Sequence, residues 1–253
     1  MLDGLPLLTD PWFYAVAVPA VLLVGLSKSG FASGFGSLAT PMLALTVPVP
    51  QAAAIMMPLL LAMDAVSLRE LWRHADRSLV RLIVPFGLIG TGLGWLLFGV
   101  LSSAAVAAIT GGLTLAFLAQ RLLFPPRPNA KPAPAWVGRL CAVTSGLTSF
   151  VAHAGNPPIA AYLLPLKHPP LTYSGTMAVF FAVLNASKWI PYASLGLIDA
   201  GNMTTSLLLM PLAPLGVWAG VKLTRRVSAK GFYRLAYTGM FLTGAKLLWD
   251  GLK

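Results

Sequence analysis

Apolar runs broken by glycine, proline and short basic clusters make up almost the whole chain. A bilayer-spanning helix needs about 20 predominantly apolar residues. On that criterion the pattern predicts helical segments at 12–29, 35–47, 51–70, 79–101 and 103–124, then at 136–152, 156–166, 171–195, 203–222 and 231–250. Between the two sets lies Phe124-Pro-Pro-Arg-Pro-Asn-Ala-Lys-Pro-Ala-Pro134, too rich in proline for a helix. The expected organisation is a first membrane repeat at 1–124, a Pro-rich cytoplasmic linker at 125–135 and a second membrane repeat at 136–253. The fold class is all-α, a polytopic membrane protein. The second segment of each half is short for a full crossing, and reads either as a span or as one arm of a re-entrant hairpin.

The stretch from Gly25 to Pro41, Gly-Leu-Ser-Lys-Ser-Gly-Phe-Ala-Ser-Gly-Phe-Gly-Ser-Leu-Ala-Thr-Pro, interrupts the first apolar run with glycine and small hydroxyl residues. A backbone that leaves the helix at membrane depth exposes N–H and C=O groups, which is tolerated only where protein or a polar cavity receives them. The same break recurs. A shift of 121 residues, without a gap, sets Gly25-Leu26 on Gly146-Leu147, Gly34 on Gly155, Pro48 on Pro169 and Met56 on Met177. After a five-residue insertion, Pro85, Gly90 and Gly94 meet Pro211, Gly216 and Gly220. Leu and Ala match by chance in apolar sequence, so the glycines and prolines carry the repeat.

Composition agrees: 57% of the 253 residues are hydrophobic and 10% are charged, with a mean hydropathy of +0.78. The formal charge of +11 raises the question of a nucleic-acid partner, but its placement answers it. The basic residues gather at Arg69–Arg81, Arg121–Arg139 and Lys222–Arg234, with Lys167 beside His168, whereas the turns around 47–50, 101–103 and 197–203 have none. The positive-inside rule puts the basic loops in the cytoplasm and both termini outside, and contacts with anionic lipid fit the same placement. Equivalent loops of the two halves then lie on opposite faces, so the repeats are inverted in topology. The start lacks a basic n-region, so no cleaved signal peptide is expected. The single Cys141 allows neither an intramolecular disulfide nor a cysteine metal cluster.

Inverted repeats with broken helices at matching positions are the pattern of secondary transporters, with the substrate at the repeat interface near the membrane midplane. The chain also resembles the TauE/SafE family of sulfite-exporter-like permeases over nearly its whole length. The residues that carry the resemblance are Gly25–Phe31, Gly34–Pro41, Pro50–Ile55 and Met63-Asp64, then Gly146–Pro158, Tyr162–Pro165 and Phe180–Pro191. The resemblance implies movement of a small inorganic or organosulfur anion, such as sulfite, across a bacterial inner membrane. No cofactor is implied.

Each break offers an anion site. Glycine lets backbone approach a ligand closely, and a restarting helix presents unpaired N–H groups and a positive dipole end. The candidate binding residues are Ser27, Lys28, Gly30, Ser33, Gly34, Gly36 and Ser37 from the first half. From the second half they are Thr148, Ser149, His153, Gly155, Asn156, Asn185 and Lys188. Gly90, Gly94, Gly216 and Gly220 read instead as close helix packing. Lys28 either reaches the substrate or snorkels to an interface. Asp64 and His153 are the candidate proton-coupling groups. Asp64, whose repeat mate is Asn185, reads either as a site residue or as a partner of Arg69. Lys188 either neutralises the anion or pairs with Asp64, and together with Lys28 it supplies charge enough for a dianion.

Ser33 with His153 weakly resembles the Ser–His dyad of intramembrane hydrolases, though the two should enter from opposite faces. A channel or assembly factor is the remaining alternative. No zinc-ligand set and no GxxxxGK[ST] loop occurs, so neither a zinc enzyme nor a self-powered ATPase is indicated.

Overall fold

The structure is a computed structural model that describes residues 8–28, 36, 39–100, 102–124, 133–163, 166, 168–223 and 229–253. The helices of the first half are α1 (Pro11–Lys28), α2 (Ala39–Leu43), α3 (Val49–Leu71), α4 (Arg77–Val100) and α5 (Ser103–Leu123). Those of the second are α6 (Ala135–Ala152), α7 (Asn156–Leu163), α8 (Pro170–Ser187), α9 (Trp189–Ser194), α10 (Ala200–Leu209), α11 (Leu212–Leu223) and α12 (Ala229–Leu252). No strand occurs among the described residues. Among the described residues, four helices contain spans long and apolar enough to cross a membrane: Pro11–Lys28, Val49–Arg69, Arg77–Phe98 and Ala135–Ala152. The Pro-rich stretch at 125–132 lies outside the described residues.

Two segments expected to be continuous are broken, and proline is the reason each time. Pro191 has no N–H for the Ser187 carbonyl, and its ring crowds that carbonyl. The helix therefore ends at Ser187, Lys188 N bonds the Asn185 carbonyl at 3.3 Å, and α9 starts afresh. Pro211 acts likewise on Leu207, whose carbonyl takes the Met210 N–H at 3.2 Å, so α10 and α11 are separate. Its repeat mate Pro85 sits inside α4 without a break.

The helices pair across the two halves. α1 packs on α11 and α4 on α6, while α3 packs on α8 and α5 on α12. Under the repeat alignment the first two pairs are equivalent, and each of the others maps onto itself. Glycines set the distance of the equivalent crossings. A Cβ on Gly25 would lie 2.7 Å from the backbone of Gly216, and one on Gly146 would lie 2.0 Å from the Gly87 carbonyl oxygen. A Cβ on Gly90 would meet the Val143 carbonyl at 2.0 Å. Only hydrogen fits, and backbone approaches backbone, as small residues allow between helices in lipid.

α3 lies at the centre. Ala52, Ala53, Ala54, Ile55, Met56, Met57 and Leu59 are all buried, while Trp12, Leu96, Leu123, Ile190, Trp218 and Trp249 face outward from surrounding helices. Contacts sort the ends of the bundle. At one end the α3–α4 turn abuts the start of α8: Asp76 N donates to Thr176 Oγ1 at 3.0 Å, and Gly175 approaches the Leu71 carbonyl. Elsewhere Leu8 N donates to Thr205 Oγ1 at 3.4 Å, and Val49 packs in one cluster with Leu195, Leu197 and Ile198. Asp76 and Asp199, on equivalent helices, each precede and cap the first turn of α4 and α10.

Candidate anion site

The buried charge of the core collects in one hydrogen-bonded chain between the halves. Lys28 ends α1, and its ammonium pairs with Asp64 Oδ1 on α3. The other carboxylate oxygen, Oδ2, accepts from Asn185 Nδ2 on α8 at 2.5 Å. Asn185 Oδ1 then accepts from Lys188 Nζ at 2.8 Å, so the carboxylate and the ammonium on either side fix the orientation of the amide. Asp64 therefore pairs with Lys28 and not with Arg69. Lys188 meets Asp64 only through Asn185.

Lys188 is fully buried, and its ammonium faces acceptors alone. Besides Asn185 Oδ1 these are the Ser149 carbonyl at 2.7 Å, Ser149 Oγ at 2.8 Å and His153 Nδ1 at 3.2 Å. Ser149 lies in the last turn of α6, whose unpaired carbonyls form the negative dipole end, a favourable place for a cation. His153 Nε2 lies 2.9 Å from the Ala53 carbonyl. A carbonyl only accepts, so Nε2 carries the proton and Nδ1 accepts from Lys188; the imidazole is neutral beside the ammonium. Ala53 and Asp64 are eleven residues apart on α3, about 16 Å of helix rise, and they bracket the middle of that helix.

Aromatic packing holds the end of α6 in place. His153 sits at φ 51, in the left-handed region, as α6 terminates. Tyr192 on α9 is fully buried, donates to the Phe150 carbonyl at 2.8 Å, and packs on Phe150 with ring centres 5.1 Å apart. Phe98 from α4 stands 5.6 Å from Phe150. The Lys28 ammonium lies 5.7 Å from the Phe181 ring centre. Neither Tyr192 nor Phe181 was singled out in the sequence. Their only signal was membership of the 180–192 segment, where aromatic residues are numerous.

Of the predicted site residues, Lys28, Ser149, His153, Asn185 and Lys188 join Asp64 in this network. Thr148 does not: its hydroxyl bonds the Thr144 and Ser145 carbonyls of its own helix. Ser27 sits beside Gly36, where an added Cβ would find Ser27 Oγ at 3.5 Å. The Gly155 carbonyl accepts from Ser145 Oγ at 2.5 Å, and a Cβ there would lie 2.7 Å from Ser149 Cβ. Asn156 opens α7, and its Oδ1 is buried without a partner among the described residues. Gly30, Ser33, Gly34 and Ser37 lie outside the described residues. Both His153 nitrogens are engaged, which leaves no nitrogen for a serine.

A bundle of paired and broken helices, with spans apolar enough to cross a membrane, defines an all-α polytopic membrane protein. The family is shown by comparison: the model of the sulfite exporter TauE/SafE family matches residues 17–247, and the chain belongs to that family. It is a transporter family, and membership implies a membrane exporter or transporter of an anion such as sulfite. Neither the curated proteins nor the solved structures return a significant match.

Proposed function

We propose that the chain is a secondary transporter exporting a small oxyanion, such as sulfite, thiosulfate, an organosulfonate or a carboxylate, by alternating access around the seam between its halves. Lys188 carries this reading. It is a fully buried ammonium with no carboxylate in contact, set where residues of both halves meet. Charges at membrane depth are expensive and are retained for function. An arriving anion supplies what Lys188 lacks: the ammonium exchanges the Ser149 and Asn185 oxygens for the substrate's, and the Ser149 hydroxyl is free to donate to them.

The equivalent crossings of α1 with α11 and of α6 with α4 support the inverted repeats. The contact of the α3–α4 turn with the start of α8 supports a shared cytoplasmic end for Arg73, Arg77 and His168. Asp64 and His153, which face Lys28, Asn185 and Lys188, are the groups this reading assigns to proton coupling. The test is flux in proteoliposomes with sulfite, thiosulfate, sulfonates and carboxylates under imposed pH and voltage gradients. Saturable flux of one of these classes is expected; flux of none, or non-saturating flux of all, would point to an assembly role or a channel.

A further inference from the structure

We propose that the site selects singly charged oxyanions, and that the Lys28–Asp64 pair sets this selection by holding the net charge of the site at one. The proposal rests on the transport reading above and names the charge class of its substrate. Among the described residues the ionisable groups of this network are Lys28, Asp64, His153 and Lys188, of which Asp64 and Lys188 are buried and the other two partly so. The pair of Lys28 with Asp64 is neutral as a unit, with side chains only 18% and 2% exposed. Bonding of Nε2 to a carbonyl and of Nδ1 to an ammonium keeps His153 neutral. The Tyr192 hydroxyl is spent on the Phe150 carbonyl. The negative end of α6 and the positive start of α7 adjoin across Ala152–Asn156, and their partial charges offset each other. One uncompensated positive charge is left, on Lys188.

The repeat explains why the charge is one. Under the 121-residue shift Lys28 falls on Ser149, Asp64 on Asn185, and Ser67 on Lys188. The first half supplies an ion pair where the second supplies a neutral pair of hydrogen-bonding side chains. The second half adds a lysine where the first has Ser67, whose hydroxyl is turned to the Met63 carbonyl at 2.9 Å. A sulfonate or hydrogensulfite matches this charge. Sulfate, thiosulfate and fully deprotonated sulfite would each bring a second negative charge into a region of low dielectric with no partner for it, a costly arrangement. The dianion expected from adding Lys28 to Lys188 is disfavoured because Asp64 already holds Lys28.

Titration calorimetry on the purified full chain, with methanesulfonate and sulfate as probes at fixed ionic strength, tests this. Wild type is expected to bind methanesulfonate at least about tenfold more tightly than sulfate, ~1.4 kcal/mol. Asp64→Asn raises the site charge to two and is expected to shift that ratio toward sulfate by about tenfold or more. Lys28→Met lowers the charge to zero and is expected to lose both anions. The double variant Lys28→Met/Asp64→Asn has a charge of one again, and is expected to regain the preference for methanesulfonate. It decides alone if Asp64→Asn does not fold. A wild type that prefers sulfate, an unchanged ratio in Asp64→Asn, or a double variant without preference overturns the charge selection. Binding of neither anion by wild type, or methanesulfonate binding undiminished in Lys188→Met, overturns the site itself and the transport reading with it.

Discussion

Asn185 donates to the Asp64 carboxylate at 2.5 Å across 121 residues of chain, the same offset that aligns the glycines and prolines of the two halves. The contact ties α3 in the first half of the chain to α8 in the second. Asp64 is charged and Asn185 neutral, so the contact joins positions that align in the sequence and differ in charge. Lys28 completes the charge of Asp64 on one side, and Lys188 stands bonded to neutral acceptors on the other.

The proposed inverted topology predicts which turns face which compartment. Asp76 and Asp199 cap helices, so labelling cysteines belong on their exposed neighbours His74 and Ala200, in a Cys141→Ser background. His74→Cys should react with an impermeant maleimide only from the cytoplasm and Ala200→Cys only from outside. Reaction of both from one side would refute the inversion.

The glycine crossings predict a stability pattern. Gly146→Ala places a Cβ 2.0 Å from the Gly87 carbonyl and should destabilise by roughly 1–3 kcal/mol, the cost of overpacking. Gly92→Ala meets nothing within 4 Å and should gain about 0.5–1 kcal/mol of helix preference. Thermal unfolding in detergent checks both. Equal melting temperatures would mean that the α4–α6 crossing relaxes freely.

Asp76 gives a pH signature outside the membrane. The Ser78 hydroxyl, at 2.6 Å, holds its carboxyl below the usual carboxylate range; partial burial opposes this, and the N–H groups of Leu79 and Ser78 reinforce it. A depressed native pKa means that the stabilisation is complete above the unfolded carboxylate value of about 3.9, and is lost as pH falls through the native value. Asp76→Ala should cost about 1 kcal/mol near neutral pH, as the loss of a helix cap does, and should flatten the acid side of the stability profile. Melting temperatures between neutral and acid pH decide it; a profile as steep as wild type would assign the acid sensitivity elsewhere.

Much of the architecture is legible in the sequence because glycine and proline act locally. Gly25 and Gly146 mark crossings and Pro211 marks a break, and the outer ends of most predicted segments fall within a few residues of those observed, although 171–195 and 203–222 are each divided into two helices. The break at Lys188 was not read from the sequence, where 171–195 is one segment, although Pro191 supplies its local cause by withholding an N–H from the Ser187 carbonyl. The wiring of the site was not legible either. Lys28 has a long stem that serves an interface or an ion pair equally well, and nothing local says that Asp64, 36 residues on, receives it. The role of the Ala53 carbonyl leaves no trace in the identity of the residue, and Ser149 owes half of its part to its backbone.

The central claim is that Lys188 holds the transported anion, and flux through Lys188→Met in proteoliposomes tests it most directly. The measurement is made on protein shown to be folded and inserted by its melting transition and by labelling at His74→Cys. Loss of a charge-assisted hydrogen bond of about 1.5–3 kcal/mol should raise KM by roughly ten- to a hundredfold or abolish flux, and Lys188→Arg should restore it only in part. Flux at the wild-type rate and KM in folded Lys188→Met would contradict the account, and would make the buried lysine a structural tie between α6 and α8.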